Sequence, residues 1–98
     1  MDIADWRKRI DEIDRSLVEL LNQRARCALE IGKLKSQNGL PLIEPNREEE
    51  VLRQALEANQ GPLEKEAISR IFERIVFEGR SLQRHLFDNL DEKSKSKS

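Results

Sequence analysis

The sequence is poor in the residues that build sheets, tight turns and disulfides. It has no tyrosine, one cysteine, three prolines and four glycines, and aromatic residues make up 4% of its 98 residues. The lone Cys27 excludes a disulfide within one chain and suits a reducing compartment. Charged residues reach 38%. This composition indicates helices with charged outer faces rather than a β-sheet.

The sequence also lacks a strong net charge and a long apolar run. No apolar stretch approaches the ~20 residues that span a bilayer. Residues 1–5 show no basic region followed by an apolar run, so we expect no signal peptide. The net charge is −1, which gives no overall field to attract nucleic acid or an anionic membrane. We therefore expect a cytoplasmic protein that binds neither, and an anion site would need locally concentrated positive charge.

The first part of the chain carries apolar residues in alternating steps of three and four, a heptad pattern. Asp2 or Asp5 suits the N-terminal cap, and Asn38-Gly39 with Pro41 beyond suits the stop. We therefore predict a first helix over residues 3–37. Its apolar stripe is Ile3, Trp6, Ile10, Ile13, Leu17, Leu20, Cys27, Ile31 and Leu34.

A helix of this length is about 50 Å long. A compact domain of about 100 residues has a radius of gyration of only about 13 Å. One chain cannot cover such a helix, and small domains often gain stability by oligomerising. We predict an intertwined homodimer in which the long first helices pair antiparallel.

Two further helices follow, and no strand pattern or repeat is found. The second starts at Glu44 or Asn46, with Pro45 in its first turn, and ends before residues 59–62. The third runs from about residue 63 to near residue 90. We predict an all-α fold with three helices in one domain over residues 1–90, followed by a disordered Lys/Ser tail over residues 91–98.

Polar residues that interrupt the apolar stripes are the candidate functional residues. Arg24 occupies a seam position where leucine belongs, and a buried guanidinium needs an anionic partner. Lys35 lies eleven residues further, close to three full turns, so both share a face. Their Cα atoms are about 16 Å apart. This spacing leaves room for one small anion between the two side chains.

Arg7 lies too far along the helix to join them within one chain. It precedes Arg24 by seventeen residues, about 25 Å on a straight helix. In an antiparallel pair, Arg7 of one chain approaches Arg24 and Lys35 of the other. The spacing therefore predicts that Arg7 acts in trans.

The other helices contribute further polar residues. Gly79 and Gln83 lie four apart, on one face of the third helix. Gly79 permits close approach, and Gln83 places an amide on an otherwise apolar face. The second helix opens with Arg47-Glu48.

Each of these positions also has an ordinary structural explanation when taken alone. A seam arginine can set heptad register, and a lysine near a helix end is usually solvated. Cys27 and His85 have no partner set for nucleophilic or metal chemistry, so we predict structural roles for them.

Taken together, the positions resemble the all-helical chorismate mutases over about residues 6–86. The order and spacing of the motifs are more specific than any single motif. They are Arg7-x-x-Ile10-Asp11-x-Ile13-Asp14, Leu20-Leu21-Asn22-Gln23-Arg24, Ile31-Gly32-Lys33-x-Lys35, Pro41, Arg47-Glu48, Ile71-Phe72 and Leu82-Gln83.

The resemblance implies a catalytic set. Arg24 and Arg7 of the partner subunit would grip the two carboxylates of chorismate. Lys35 and Gln83 would donate hydrogen bonds to the ether oxygen of the breaking bond. Glu48 would hold the ring hydroxyl.

Three more positions would bind substrate. Arg47 would assist carboxylate binding. Glu44 falls where members often have aspartate, and a backbone contact there would tolerate either residue. Gly79 falls where some members have serine, so any contact from that hydroxyl is absent.

The implied reaction, chorismate to prephenate, is an intramolecular rearrangement that needs no nucleophile, metal or cofactor. The protein must hold the compact conformer in which the reacting carbons meet. It must also stabilise negative charge that grows on the ether oxygen. The forked guanidinium of arginine suits carboxylates, and the hydrogen-bond donors of a lysine and an amide suit the ether oxygen.

Three alternatives remain open. The chain could be a regulatory domain that binds chorismate or prephenate for an associated shikimate-pathway enzyme. It could be an isochorismate-pyruvate lyase on the same scaffold. It could be a plain helical dimerisation domain, which would leave Arg24 and Gln83 without a ligand.

Overall fold

The computed structural model describes the backbone of residues 1–96 and the side chains of residues 1–89. The described chain forms three helices and no strand: α1 (Ile3–Gln37), α2 (Pro45–Ala58) and α3 (Lys65–Ser96). This confirms the predicted all-α fold. It also confirms both ends of α1 and the position of Pro45 in the first turn of α2.

Local interactions explain why α1 begins and ends where it does. The backbone N–H of Asp5 donates to Oδ1 of Asp2 (2.9 Å), and the N–H of Asp2 donates to Oδ2 of Asp5 (3.2 Å). This reciprocal capping box satisfies two free donors at the helix start. At the other end, Gly39 adopts φ +65°, a left-handed conformation that glycine allows at low cost.

The third helix is longer than the sequence pattern predicted. It continues to Ser96, beyond the expected end near residue 90. No glycine or proline interrupts Asp91-Glu92-Lys93, and backbone propensity extends the helix without an apolar stripe. Residues 97 and 98 lie outside the described residues. The division of the chain into a domain and a tail stays a prediction.

The third helix is the centre of the fold, because α1 and α2 both pack against it. The chain is elongated, with extents of 64 × 27 × 16 Å and a radius of gyration of 17.6 Å. That radius exceeds the about 13 Å of a compact chain of this size. No helix in the described part of the chain has the length and apolar content needed to cross a membrane.

A single chain leaves the apolar stripe of α1 uncovered. Trp6, Ile10, Leu17 and Leu20 are each at least half exposed, at 55%, 53%, 50% and 58%. Among the residues with described side chains, no hydrophobic one is buried. Exposed apolar surface of this extent is typical of surfaces that bind another molecule.

Candidate active site

The three helices and the loop between α1 and α2 line an open cavity of about 340 Å³, within the size range of small-molecule sites. Seven of the eight residues predicted from the sequence line it, and Arg7 does not. The seven are Arg24, Lys35, Glu44, Arg47, Glu48, Gly79 and Gln83; the remaining lining residues are Cys27, Ala28, Ile31, Leu42, Val51, Val76 and Arg80. Their proposed contacts with a ligand stay predictions.

Lys35 is buried at the cavity wall, with only 6% of its surface exposed. Its Nζ donates to the carbonyl of Leu42 (2.9 Å) and pairs with Oε2 of Glu44 (3.1 Å). The loop after α1 therefore folds back over Lys35, which lies in the last turn of that helix. An ammonium has three donors, so one remains for a ligand.

Gln83 is the second buried polar side chain, with 8% exposure. Its Nε2 donates to the carbonyl of Ala28 (2.8 Å) on α1. This bond fixes the amide at the crossing of α1 and α3. The amide has a second hydrogen, which is free to donate to a ligand.

Glu48 forms an ion pair that the sequence analysis did not foresee. The guanidinium of Arg80 donates from Nη1 to Oε1 of Glu48 (2.8 Å). The two side chains are 32% and 30% exposed, so water only partly screens the pair. In the sequence, Arg80 lies three residues before Gln83 on the same helix face, which indicates its position near the site but not its pairing with Glu48.

The two remaining arginines differ in their surroundings. Arg47 is more than half exposed and pairs through Nη1 with Oε1 of Glu50 (2.8 Å), outside the cavity. Arg24 is half-buried, and within the described residues its guanidinium has no carboxylate partner. Arg24 is therefore the cavity arginine best placed to take an incoming anion.

The charges of the lining residues favour an anionic ligand. Four cations, Arg24, Lys35, Arg47 and Arg80, face two carboxylates, Glu44 and Glu48. The excess of two positive charges matches a dianion. This local excess is the concentrated positive charge that an anion site requires in a chain of net charge −1.

Two further observations concern the cavity thiol and metal binding. Cys27, predicted to be structural, lines the cavity as a free thiol. Among the side chains that the structure describes, no group of three or more His, Cys, Asp or Glu residues could hold a metal ion.

We expect substitution by alanine to have different effects on stability and activity at two helical glycines beside the cavity. At Gly79, a new Cβ would lie 3.5 Å from Nη1 of Arg24 and 4.0 Å from Cβ of Ala28, in ordinary contact. Gly79→Ala should therefore raise the free energy of unfolding by about 1 kcal/mol, the helix-propensity gain. At buried Gly32, the Cβ would lie 3.2 Å from Cγ of Gln83. Gly32→Ala should cancel that gain and lower kcat by shifting the Gln83 amide.

Urea unfolding at one fixed protein concentration, with kcat measured on the same samples, checks both substitutions. Equal stabilisation by the two, with kcat retained in Gly32→Ala, would contradict the tight packing of Gly32 against Gln83.

Comparison with known proteins agrees with this geometry. Residues 6–84 match the family described as chorismate mutase type II. A chorismate mutase structure from Thermus thermophilus (form II) superposes with a TM-score of 0.82 at 36% identity, covering 84% of this chain and 93% of that one. The chorismate mutase of Methanocaldococcus jannaschii is 26% identical over 95% of both chains.

A bifunctional chorismate mutase/prephenate dehydratase from Aquifex aeolicus is 35% identical over 87% of this chain. The chain spans only 25% of that protein's length, and 20% of the length of a relative of the same name from Pseudomonas aeruginosa. The family match covers most of the chain, and the predicted resemblance is confirmed. The chain belongs to the type II, all-helical chorismate mutase family.

Proposed function

We propose that this protein is a chorismate mutase, which converts chorismate to prephenate in aromatic amino-acid biosynthesis. One observation carries the proposal: a cavity with an excess of two cations contains two buried, partly engaged donors, Lys35 and Gln83. A dicarboxylate ether whose oxygen gains charge during reaction needs this combination.

Lys35 and Gln83 act on the ether oxygen in the proposed mechanism. Each is held by a bond to a backbone carbonyl, of Leu42 and Ala28 respectively, and each keeps a donor free. Donors fixed before the reaction need no reorganisation as charge develops on the oxygen, so they stabilise the transition state more than the substrate.

Arg24 and Glu48 hold the two ends of the substrate. The Arg24 guanidinium binds one carboxylate as a fork. Oε2 of Glu48 accepts a hydrogen bond from the ring hydroxyl, while Oε1 accepts one from Arg80. Arg47 supports carboxylate binding from the cavity rim. Gripping both ends selects the compact conformer in which the carbon–carbon bond forms as the carbon–oxygen bond breaks.

The proposed enzyme is a homodimer with two equivalent sites. The exposed stripe of α1 supports this, because a second copy can cover it. If Leu17 meets Leu17 of the partner subunit in an antiparallel pair, Arg7 of the partner subunit lies opposite Cys27, which lines the cavity. Arg7 then grips the second carboxylate in trans.

Cytoplasmic location and association with another shikimate-pathway enzyme belong to the same proposal. The lone Cys27 suits a reducing compartment. The bifunctional relatives carry a chorismate mutase and a prephenate dehydratase in one protein, as their names state. That pairing supports an associated enzyme that consumes prephenate.

Adding chorismate to the purified chain tests the function. We expect chorismate to disappear and prephenate to form in equal amount, seen by ultraviolet absorbance and by NMR of the product. Isochorismate is supplied in parallel, and release of pyruvate would support the lyase instead. Tight binding of chorismate without turnover would favour the regulatory domain. No binding at all would leave only a dimerisation domain.

A further inference from the structure

We infer that Arg80 is a positioning residue that keeps the Glu48 carboxylate away from the catalytic cations and turned toward the substrate hydroxyl. The inference rests on the proposed function and adds a residue that the motif-based site does not contain. Arg80 acts through Glu48, not on the substrate itself.

The geometry ties Arg80 to Glu48 across two helices. Glu48 lies in the first turn of α2, and Arg80 lies 32 residues later on α3. The 2.8 Å contact occupies Oε1 of Glu48. Within the described residues, Oε2 has no hydrogen-bond partner. One carboxylate oxygen is therefore fixed and the other is free for a ligand.

Arg80 also has a contact outside the cavity. The centre of its guanidinium lies 5.9 Å from the ring centroid of Phe77, at the outer limit of a cation–π contact. Phe77 does not line the cavity. The guanidinium therefore contacts both the outer ring and the Glu48 carboxylate, and the two contacts favour one rotamer.

The charge distribution shows why this pairing matters. Glu44 already pairs with Lys35, and Arg24 has no described carboxylate partner. Without Arg80, the Glu48 carboxylate would lie in the same cavity with two competing cations, Arg24 and Lys35. Opposite charges a few ångströms apart attract strongly in a partly dry site. Glu48 would then occupy the donors that the ether oxygen and a substrate carboxylate need.

Chorismate kinetics of Arg80→Met test the inference. Methionine replaces the aliphatic part of the side chain and removes its charge and its donors. We expect kcat/KM to fall by about tenfold to hundredfold, mostly through kcat, because a transition-state donor is diverted. Arg80→Lys should recover most of the loss, because the ammonium still pairs with Glu48. Arg53→Met is the matched control: Arg53 is 64% exposed, pairs with Glu57 and lies outside the cavity.

A double-substitution cycle with Glu48→Gln separates positioning from other roles. Once the carboxylate is neutral, Arg80→Met should change kcat/KM by no more than about twofold. Three results would overturn the inference: the same loss in both backgrounds, a rise in KM alone, or an effect no larger than that of Arg53→Met. If Arg80→Met fails to fold by circular dichroism, the cycle is run with Arg80→Lys and Arg80→Gln.

The inference and the proposed function fail in different ways. If the unsubstituted protein turns over chorismate but the Arg80 substitutions have none of the expected effects on kcat/KM, only the inference about Arg80 is wrong. If chorismate binds but is not turned over, the same cycle is measured by calorimetry as changes in Kd, with the same coupling expected. If chorismate neither binds nor reacts, both are wrong.

Discussion

Lys35→Ala should lower kcat for chorismate by about 10²- to 10³-fold, the loss that follows removal of one preorganised donor to a developing oxyanion. Lys35 is the least exposed charged side chain among those described, at 6%, and two of its donors are engaged by the loop. The third is aimed by those two bonds. Alanine removes the donor and the charge together.

The fold should survive this substitution. Glu44 is half exposed, so water can take the place of Lys35 at its carboxylate. The lost bond to the Leu42 carbonyl should cost less than about 2 kcal/mol. Circular dichroism and urea unfolding, run beside the kinetics, distinguish a catalytic loss from a folding loss.

Lys33→Ala is the matched control for Lys35→Ala. Lys33 lies two residues away on the same helix, is 52% exposed and pairs only with Glu30. We expect the kcat of Lys33→Ala to equal that of the unsubstituted protein. Near-normal kcat in Lys35→Ala would remove Lys35 from the mechanism, and an equal loss in both variants would point to a general charge effect.

Two inactive variants, Arg7→Ala and Lys35→Ala, should restore activity when they share a dimer. In a mixed dimer, one site receives Lys35 from the first chain and Arg7 from the second, and is complete. The other site lacks both. Random mixing makes half of the dimers mixed, so about a quarter of the original activity should return.

The control for the complementation experiment combines two substitutions of residues that line the same chain's cavity. Mixed dimers of Arg24→Ala with Lys35→Ala contain no complete site, because both residues belong to one chain's cavity. Co-refolded mixtures, assayed for chorismate turnover at matched concentration, give the comparison. Equal recovery in both mixtures, or none in either, would rule out Arg7 acting in trans.

The first helix could be predicted closely because its signals are local. The heptad stripe and the Asp2–Asp5 capping box lie within a few residues of the features that they determine. The same holds for Pro45 at the start of α2. The end of α3 could not be predicted from its apolar stripe, because the helix continues beyond the last apolar residue of the sequence, Leu90.

The site could be predicted as a set of residues but not as a network of contacts. Arg24, Lys35 and Gln83 interrupt apolar stripes, so the pattern marks them. Arg80 interrupts nothing and resembles a surface arginine. Its pairing with Glu48 depends on how α2 packs on α3, which no short-range pattern encodes. The contact of Lys35 with the Leu42 carbonyl likewise depends on the path of a loop.

The uncovered stripe of α1 has a consequence for how the protein behaves in a cell. The surface that gives each chain its missing hydrophobic core is also the surface that brings Arg7 to the other chain's cavity in the proposed dimer. Stability and catalysis then share one mass-action equilibrium, as in obligate dimers. If the chain dimerises as proposed, a low concentration costs it both stability and activity, and newly made copies stay inactive until they pair.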